Sequence, residues 1–236
     1  MKAHYLNIAH RGASAYEPEN TLRAFRRAIE LGADMSELDL HLSKDGALVV
    51  MHNYTVDQTT NGHGEIKNLT LDEIKRLDAG LGEQVPTLQE VIDLVRGRSG
   101  LYIELKGQGT PRPLVTLLRA NRFTAPHQVI VGSFQSELAR ATKELAPELS
   151  VSLLVGPVYP AAELIAMARA ARADYVHLCW ESRAPQPHTL LTPELLSALR
   201  AAQLGIVLWH EERDEELKIL RTLQVDGICT NTPDKL

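Results

Sequence analysis

Short apolar, β-rich runs recur along the chain, and between them lie stretches of ~10 to 15 residues whose apolar positions fall at helical spacing. That alternation is the signature of repeated βα units feeding a parallel sheet. Eight strands are predicted: Leu6–His10, Met35–Leu42, Leu101–Lys106, Val129–Phe134, Val151–Val155, Tyr175–Trp180, Gly205–His210 and Gly227–Asn231. Seven helices are predicted between them, at Thr21–Leu31, Thr87–Arg96, Arg112–Asn121, Ser136–Leu145, Ala161–Ala171, Pro193–Ala202 and Asp214–Leu223. Few residues follow the last strand, so a full eighth helix is not expected. Helix-start chemistry supports these assignments: Asn20 precedes the first helix as a candidate cap, Thr87 is followed three residues on by Glu90, and Thr192 precedes Pro193.

The rhythm breaks once. Between Ser43 and Pro86 a second extended run, Ala47–His52, and the polar stretch Thr60-Asn61-Gly62-His63-Gly64 come before the next helix. Long insertions in compact folds are usually functional or flexible, and one that follows the second strand of a barrel rises over its catalytic face. Eight parallel strands admit either a closed barrel or a doubly wound open sheet. The commonest use of the open sheet needs a glycine fingerprint after the first strand, and His10-Arg11-Gly12-Ala13 does not supply it. The pattern predicts an α/β chain: a TIM (β/α)8 barrel with an insertion after the second strand and a truncated final helix. The length of 236 residues suits one such barrel as a single domain over 1–236.

Composition narrows the partners. With 44% hydrophobic and 23% charged residues the chain has material for a real core. A formal net charge of −5 without clustered Lys and Arg argues against nucleic acid or an anionic membrane surface, so an anionic ligand must be held locally. Cys179 and Cys229 each sit in an apolar run and read as small buried hydrophobes, which fits a reducing compartment. The N-terminal stretch lacks a secretory pattern, and no apolar run approaches the ~18 residues of a membrane span. The chain is expected to be soluble and cytoplasmic; whether it forms a homo-oligomer stays open.

The chemistry begins on the second strand. Side chains alternate, so Glu37, Asp39 and His41 share one face while Leu38 and Leu40 share the other. Two carboxylates on one strand face suit either a solvated edge or a cation site. Glu104 tips the balance, because it ends the next core strand with Lys106 two residues on. Three carboxylates from neighbouring strands make a hard-oxygen site for a divalent metal, Mg²⁺ or Ca²⁺, better than a zinc site. His10 and His52 end extended runs and project toward the same mouth, where imidazoles can serve as acid and base. Arg11 and Lys106 offer positive charge to a phosphate. Trp209 suits a flat apolar wall for a substrate carbon skeleton, or equally a core or rim aromatic. His63, His177, His188 and His210 read as structural or surface residues.

The order of these motifs closely resembles the glycerophosphodiester phosphodiesterase family: His10-Arg11-Gly12, Glu17-Pro18-Glu19-Asn20-Thr21, Glu37-Leu38-Asp39, Ser43-Lys44-Asp45-Gly46, His52 and Glu104-Leu105-Lys106. The likeness is dense over residues 8 to 106 and returns at Ser133-Phe134, Trp209 and Asp226-Gly227-Ile228-Cys229-Thr230. It implies a TIM barrel, metal ligands Glu37, Asp39 and Glu104, an acid/base pair His10 and His52, and phosphate contacts from Arg11 and Lys106. It also implies a small-molecule glycerophosphodiester as substrate, with sn-glycerol 3-phosphate and an alcohol as products. Asn53 and Asn231 stand where the resemblance leads one to expect aspartate. Two alternatives carry forward. One is a phospholipase of the same superfamily, which needs an apolar interfacial patch that the polar stretch 57–68 does not offer. The other is a metal-binding homologue without turnover, against which the intact His10, His52, Glu37, Asp39 and Glu104 weigh.

Overall fold

The computed structural model describes residues 5–126 and 128–236; residues 1–4, which open the stretch read for a leader, lie outside them. Nine strands form one sheet: β1 (Leu6–Ala9), β2 (Met35–Leu42), β3 (Leu48–Val50), β4 (Gly100–Leu105), β5 (Val129–Ser133), β6 (Ser150–Val155), β7 (Tyr175–Leu178), β8 (Gly205–His210) and β9 (Gly227–Thr230). β1 pairs in parallel with both β9 and β2, which closes the ring. β3 alone runs antiparallel, laid along β2 with Leu40 opposite Val50. The expected (β/α)8 barrel is therefore present, with one extra strand from the insertion.

Helices α1 (Leu22–Glu30), α3 (Leu88–Val95), α4 (Pro111–Ala120), α5 (Ser136–Leu145), α6 (Ala161–Ala170), α7 (Pro193–Ala201) and α8 (Asp214–Leu220) cover the ring, and the short α2 (Leu71–Ile74) lies in the insertion. A 3-10 turn, Pro233–Lys235, follows β9. The Thr87 and Glu90 side chains close a reciprocal capping box on α3, and Thr192 caps α7 ahead of Pro193, both as the sequence predicts. Asn20 differs from expectation. Thr21 caps α1, its hydroxyl accepting from the Ala24 N–H, whereas Asn20 adopts a left-handed φ of 56° and sends its amide elsewhere.

Alternation along each strand divides the apolar side chains. Ile8, Met35, Tyr102, Ile130, Leu154, Val207 and Cys229 fill the barrel interior. Leu38, Leu40, Leu101, Ile103 and Leu105 face outward against α1, α3 and α4, and Leu153, Val176, Ile206 and Leu208 do the same on the far side. Above the interior plug the inward positions turn polar, with Glu37, Asp39 and His41 on β2 and Glu104 on β4. The insertion carries its own apolar cluster, including Val49, Met51, Val56, Ile66 and Ile74, which anchors it to the rim. Several predicted strands extend one or two residues past the observed ladder. His10, Lys106, Phe134 and Asn231 each stand just beyond a strand's last paired residue, where the chain leaves the ladder for the C-terminal mouth.

Candidate active site

The register of β2 against β4 sets Asp39 opposite Glu104 and Glu37 opposite Tyr102. Glu37, Asp39 and Glu104 are 3%, 1% and 8% exposed, and one carboxylate oxygen from each lies within 4.8 Å of the others. Burial, then Asp39 and Glu104, raises the Glu37 carboxyl well above its ordinary range. Burial, then Asp39, pushes Glu104 up to about 7. Crowded carboxylates of this kind leave a charge conflict that a cation resolves, and the three oxygens lie close enough together to hold one metal ion.

Fixed donors surround the triad. The Arg11 backbone N–H donates to Glu37 Oε2 at 2.8 Å, and the Asn20 amide donates to Asp39 Oδ2 at 2.9 Å. Arg11 reaches this place because the chain turns sharply: its φ is 55° and that of Gly12 is 79°. A Cβ on Gly12 would stand 2.7 Å from the Ala24 carbonyl carbon, so only glycine fits between this turn and α1. The Arg11 guanidinium lies 3.6 Å from Asp39 and pairs with Glu19 at 2.9 Å. Lys106 Nζ stands 2.9 Å from Glu104 and 3.4 Å from Asp39. Burial works against its charge, but Asp39 and Glu104 outweigh that and its pKa is raised. Both cations are therefore held charged beside the acidic cluster.

His10 and His52 line one cavity of about 170 Å³ with Arg11, Glu37, Glu104 and Lys106. His10 Nδ1 lies 2.6 Å from Asn231 Oδ1, and His52 Nδ1 lies 2.8 Å from Asn53 Oδ1. Burial, then His210 and Arg11, depresses His10 well below its ordinary pKa. Burial also lowers His52, with Asp39 pulling the other way. The sequence-predicted residues thus gather at one mouth. Trp209 contributes to the cavity lining but is only 1% exposed and packs into the outer core, so it is a buried wall and not an open platform; the bulge between Leu208 and His210 accounts for its turn.

Two histidines read as bystanders belong here. The His210 ring stacks on His10 with centroids 4.3 Å apart and planes 6° from parallel. His177 sits deeper, its Nδ1 3.1 Å from the Tyr102 hydroxyl and its pKa depressed to about 3, chiefly by burial. Inward parity on β7 was the available signal for His177; the bulge hides the equivalent signal for His210. His63 and His188 lie off the cavity lining, paired with Asp57 and Glu216. The thiols of Cys179 and Cys229 are free, and burial raises both well above their ordinary values; Cys229 is buried as expected, while Cys179 is half-buried at the cavity.

A (β/α)8 barrel that collects an acidic triad, two imidazoles and two cations around one cavity at its strand ends is of the barrel phosphodiesterase class. The comparisons with known proteins narrow the class: residues 10–235 match the glycerophosphoryl diester phosphodiesterase family, and the chain belongs to that family. It is 37% identical to a glycerophosphodiester phosphodiesterase of Caldanaerobacter subterraneus, covering 98% of this chain and 96% of that protein. A Bacillus subtilis glycerophosphodiester phosphodiesterase is 32% identical over 97% of this chain and 84% of its own length. Among solved structures, a glycerophosphodiester phosphodiesterase from Agrobacterium tumefaciens superposes with a TM-score of 0.84 at 30% identity, covering 97% of this chain and 96% of that one. An Oleispira antarctica phosphodiesterase in complex with the product sn-glycerol-3-phosphate gives 0.84 at 26% identity, over 97% and 93%.

Proposed function

We propose that this enzyme hydrolyses glycerophosphodiesters to sn-glycerol 3-phosphate and an alcohol, with a divalent cation, Mg²⁺ or Ca²⁺, held by Glu37, Asp39 and Glu104. The observation that carries the reading is the shared cavity: the triad's Glu37 and Glu104, the His10 and His52 imidazoles, Arg11 and Lys106 all line it. When bound, the cation supplies positive charge to the phosphoryl oxygens. Arg11 and Lys106 hold the phosphate and spread its developing charge. Trp209 bounds the space left for the substrate's carbon skeleton.

The two imidazoles are not equivalent. His10 is the more strongly depressed and takes the part of base; His52, lowered less because it is less buried and Asp39 opposes the effect of burial, takes the part of acid. In the first half the glycerol 2-hydroxyl attacks phosphorus and gives its proton to His10. The bond from phosphorus to the leaving alcohol breaks, and His52 protonates the departing oxygen. In the second half water opens the cyclic phosphate: His52 takes the water proton, and His10 returns its proton to the 2-oxygen. An attacking hydroxyl carried by the substrate has the advantage of proximity.

Turnover of glycerophosphocholine with and without chelator tests the whole. Activity that is lost on chelation and restored by Mg²⁺ or Ca²⁺ is expected; full turnover by metal-free protein would remove the cation from the reading. Absence of turnover in protein that binds the cation when no chelator is present would favour the metal-binding homologue instead. Among the described residues no helix is long and apolar enough to cross a membrane. The two free cysteines support the cytoplasm as the place of action.

A further inference from the structure

His10 Nδ1 faces Asn231 Oδ1 at 2.6 Å. An amide oxygen only accepts, so Nδ1 carries the ring proton and the neutral imidazole keeps its lone pair on Nε2. The orientation of the amide is itself fixed. Asn231 Nδ2 donates to the Glu212 carboxylate, which can only accept. Glu212 thus sets the amide and the amide sets the tautomer. The ring's face is covered by His210, stacked within 6° of parallel, which fixes its plane. The charged groups that act most on His10 are His210 on β8, Arg11 beside it on the chain and His52 from the insertion; Glu37, Glu104, Lys106 and Glu181 line the same cavity, and Glu212 stands behind the Asn231 amide. The group bonded to Nδ1 is an uncharged amide.

We propose that Glu212, Asn231 and His210 form a positioning assembly that holds His10 with its proton on Nδ1 and its plane fixed, so that Nε2 is free to accept a proton. This deepens the proposed function and rests on its assignment of His10 as the base. None of the three exchanges a proton with the substrate. Their part is to keep one tautomer and one ring orientation, the task that a carboxylate performs beside the histidine of a hydrolytic triad. An amide does this without offering an ion pair to the imidazolium, so a proton accepted by His10 is readily passed on.

The test reads the tautomer directly, by long-range ¹⁵N–¹H NMR of the histidine side chains in the full chain, with the His10 signals identified by their loss in His10→Ala. Wild type is expected to show an Nδ1–H ring. Asn231→Leu, similar in size but unable to accept, should erase that preference and lower kcat at least about tenfold, as loss of an oriented general base does, with KM little changed. Asn231→Asp should keep the tautomer and move the acid limb of the kcat profile upward by about 1 pH unit or more, because a carboxylate favours the imidazolium. Glu212→Lys, at an exposed position, presents a donor to the amide, turns Asn231 over and should transfer the His10 proton to Nε2. This variant carries the test if Asn231→Leu fails to fold. His210→Ala should lower kcat without moving the proton. An unchanged tautomer and kcat in both Asn231→Leu and Glu212→Lys would overturn the assembly. An active His10→Ala would instead overturn the assignment of His10 as base.

Discussion

Glu104→Gln separates the cost of the acidic cluster from its use. The carboxyl stands 2.9 Å from Lys106, yet its pKa is about 7 against an ordinary 4.5, because burial and Asp39 outweigh that partner. Below pH 4.5 Glu104 is protonated in both the folded and the unfolded chain, and stability is complete. As pH rises from about 4.5 to about 7 the unfolded chain releases its proton while the folded one retains it, so stability is lost across that window. At about 1.36 kcal/mol per pH unit the loss is on the order of 3 kcal/mol. Glutamine keeps the shape, accepts from Lys106 and never ionises. It also removes a charge that raises Glu37.

In chelator, therefore, Glu104→Gln and wild type should melt together near pH 4.5. By pH 8 the variant should be the more stable by roughly 6 to 12 °C, taking about 2–4 °C per kcal/mol for a chain of this size. Millimolar Mg²⁺ or Ca²⁺ should reverse the order, because an ion that binds only the folded state stabilises by RT ln(1 + [L]/Kd) and the variant has lost a ligand. Thermal melts followed by circular dichroism between pH 4.5 and 8 read both effects. If Glu104→Gln melts at or below wild type throughout in chelator, with no growth of the difference with pH, the triad is not a site of unrelieved charge.

Glu37→Gln and Asp39→Asn should each weaken cation binding measured by calorimetry; an unchanged affinity in both would move the site elsewhere. His10→Ala and His52→Ala should each lower kcat by roughly 10²- to 10⁴-fold, the usual loss of a general acid or base, and their double variant should be little worse than either if they act as one unit. A substrate whose glycerol 2-hydroxyl is replaced by hydrogen should bind with similar affinity and fail to turn over; hydrolysis near the parent rate would exclude the cyclic phosphate. Gly12→Ala should destabilise the fold by on the order of 1–3 kcal/mol in chemical denaturation, since its φ of 79° and its 2.7 Å approach to Ala24 leave no room for a methyl group.

What could be read without coordinates followed from parity. Glu37, Asp39 and His41 alternate with Leu38 and Leu40, so one side of β2 had to be polar and the other apolar, and Glu104 two residues before Lys106 repeats the pattern on the neighbouring strand. Periodicity of this sort survives into the structure because a closed sheet leaves each side chain only two directions. The residues that escaped are those whose placement depends on a departure from regular backbone. Asn20, close enough after His10 to reach the mouth, reads first as a helix cap until its left-handed φ hands that task to Thr21 and delivers its amide to Asp39. His210 and Trp209 carry opposite parity by counting, and the bulge on β8 exchanges their roles: the histidine stacks on His10 and the indole joins the outer core. Asn231 lies 221 positions from His10 and meets it only because β9 closes against β1. The ring closure that makes the barrel also makes that contact, so the tautomer of the proposed base is a consequence of the whole topology and of no local motif.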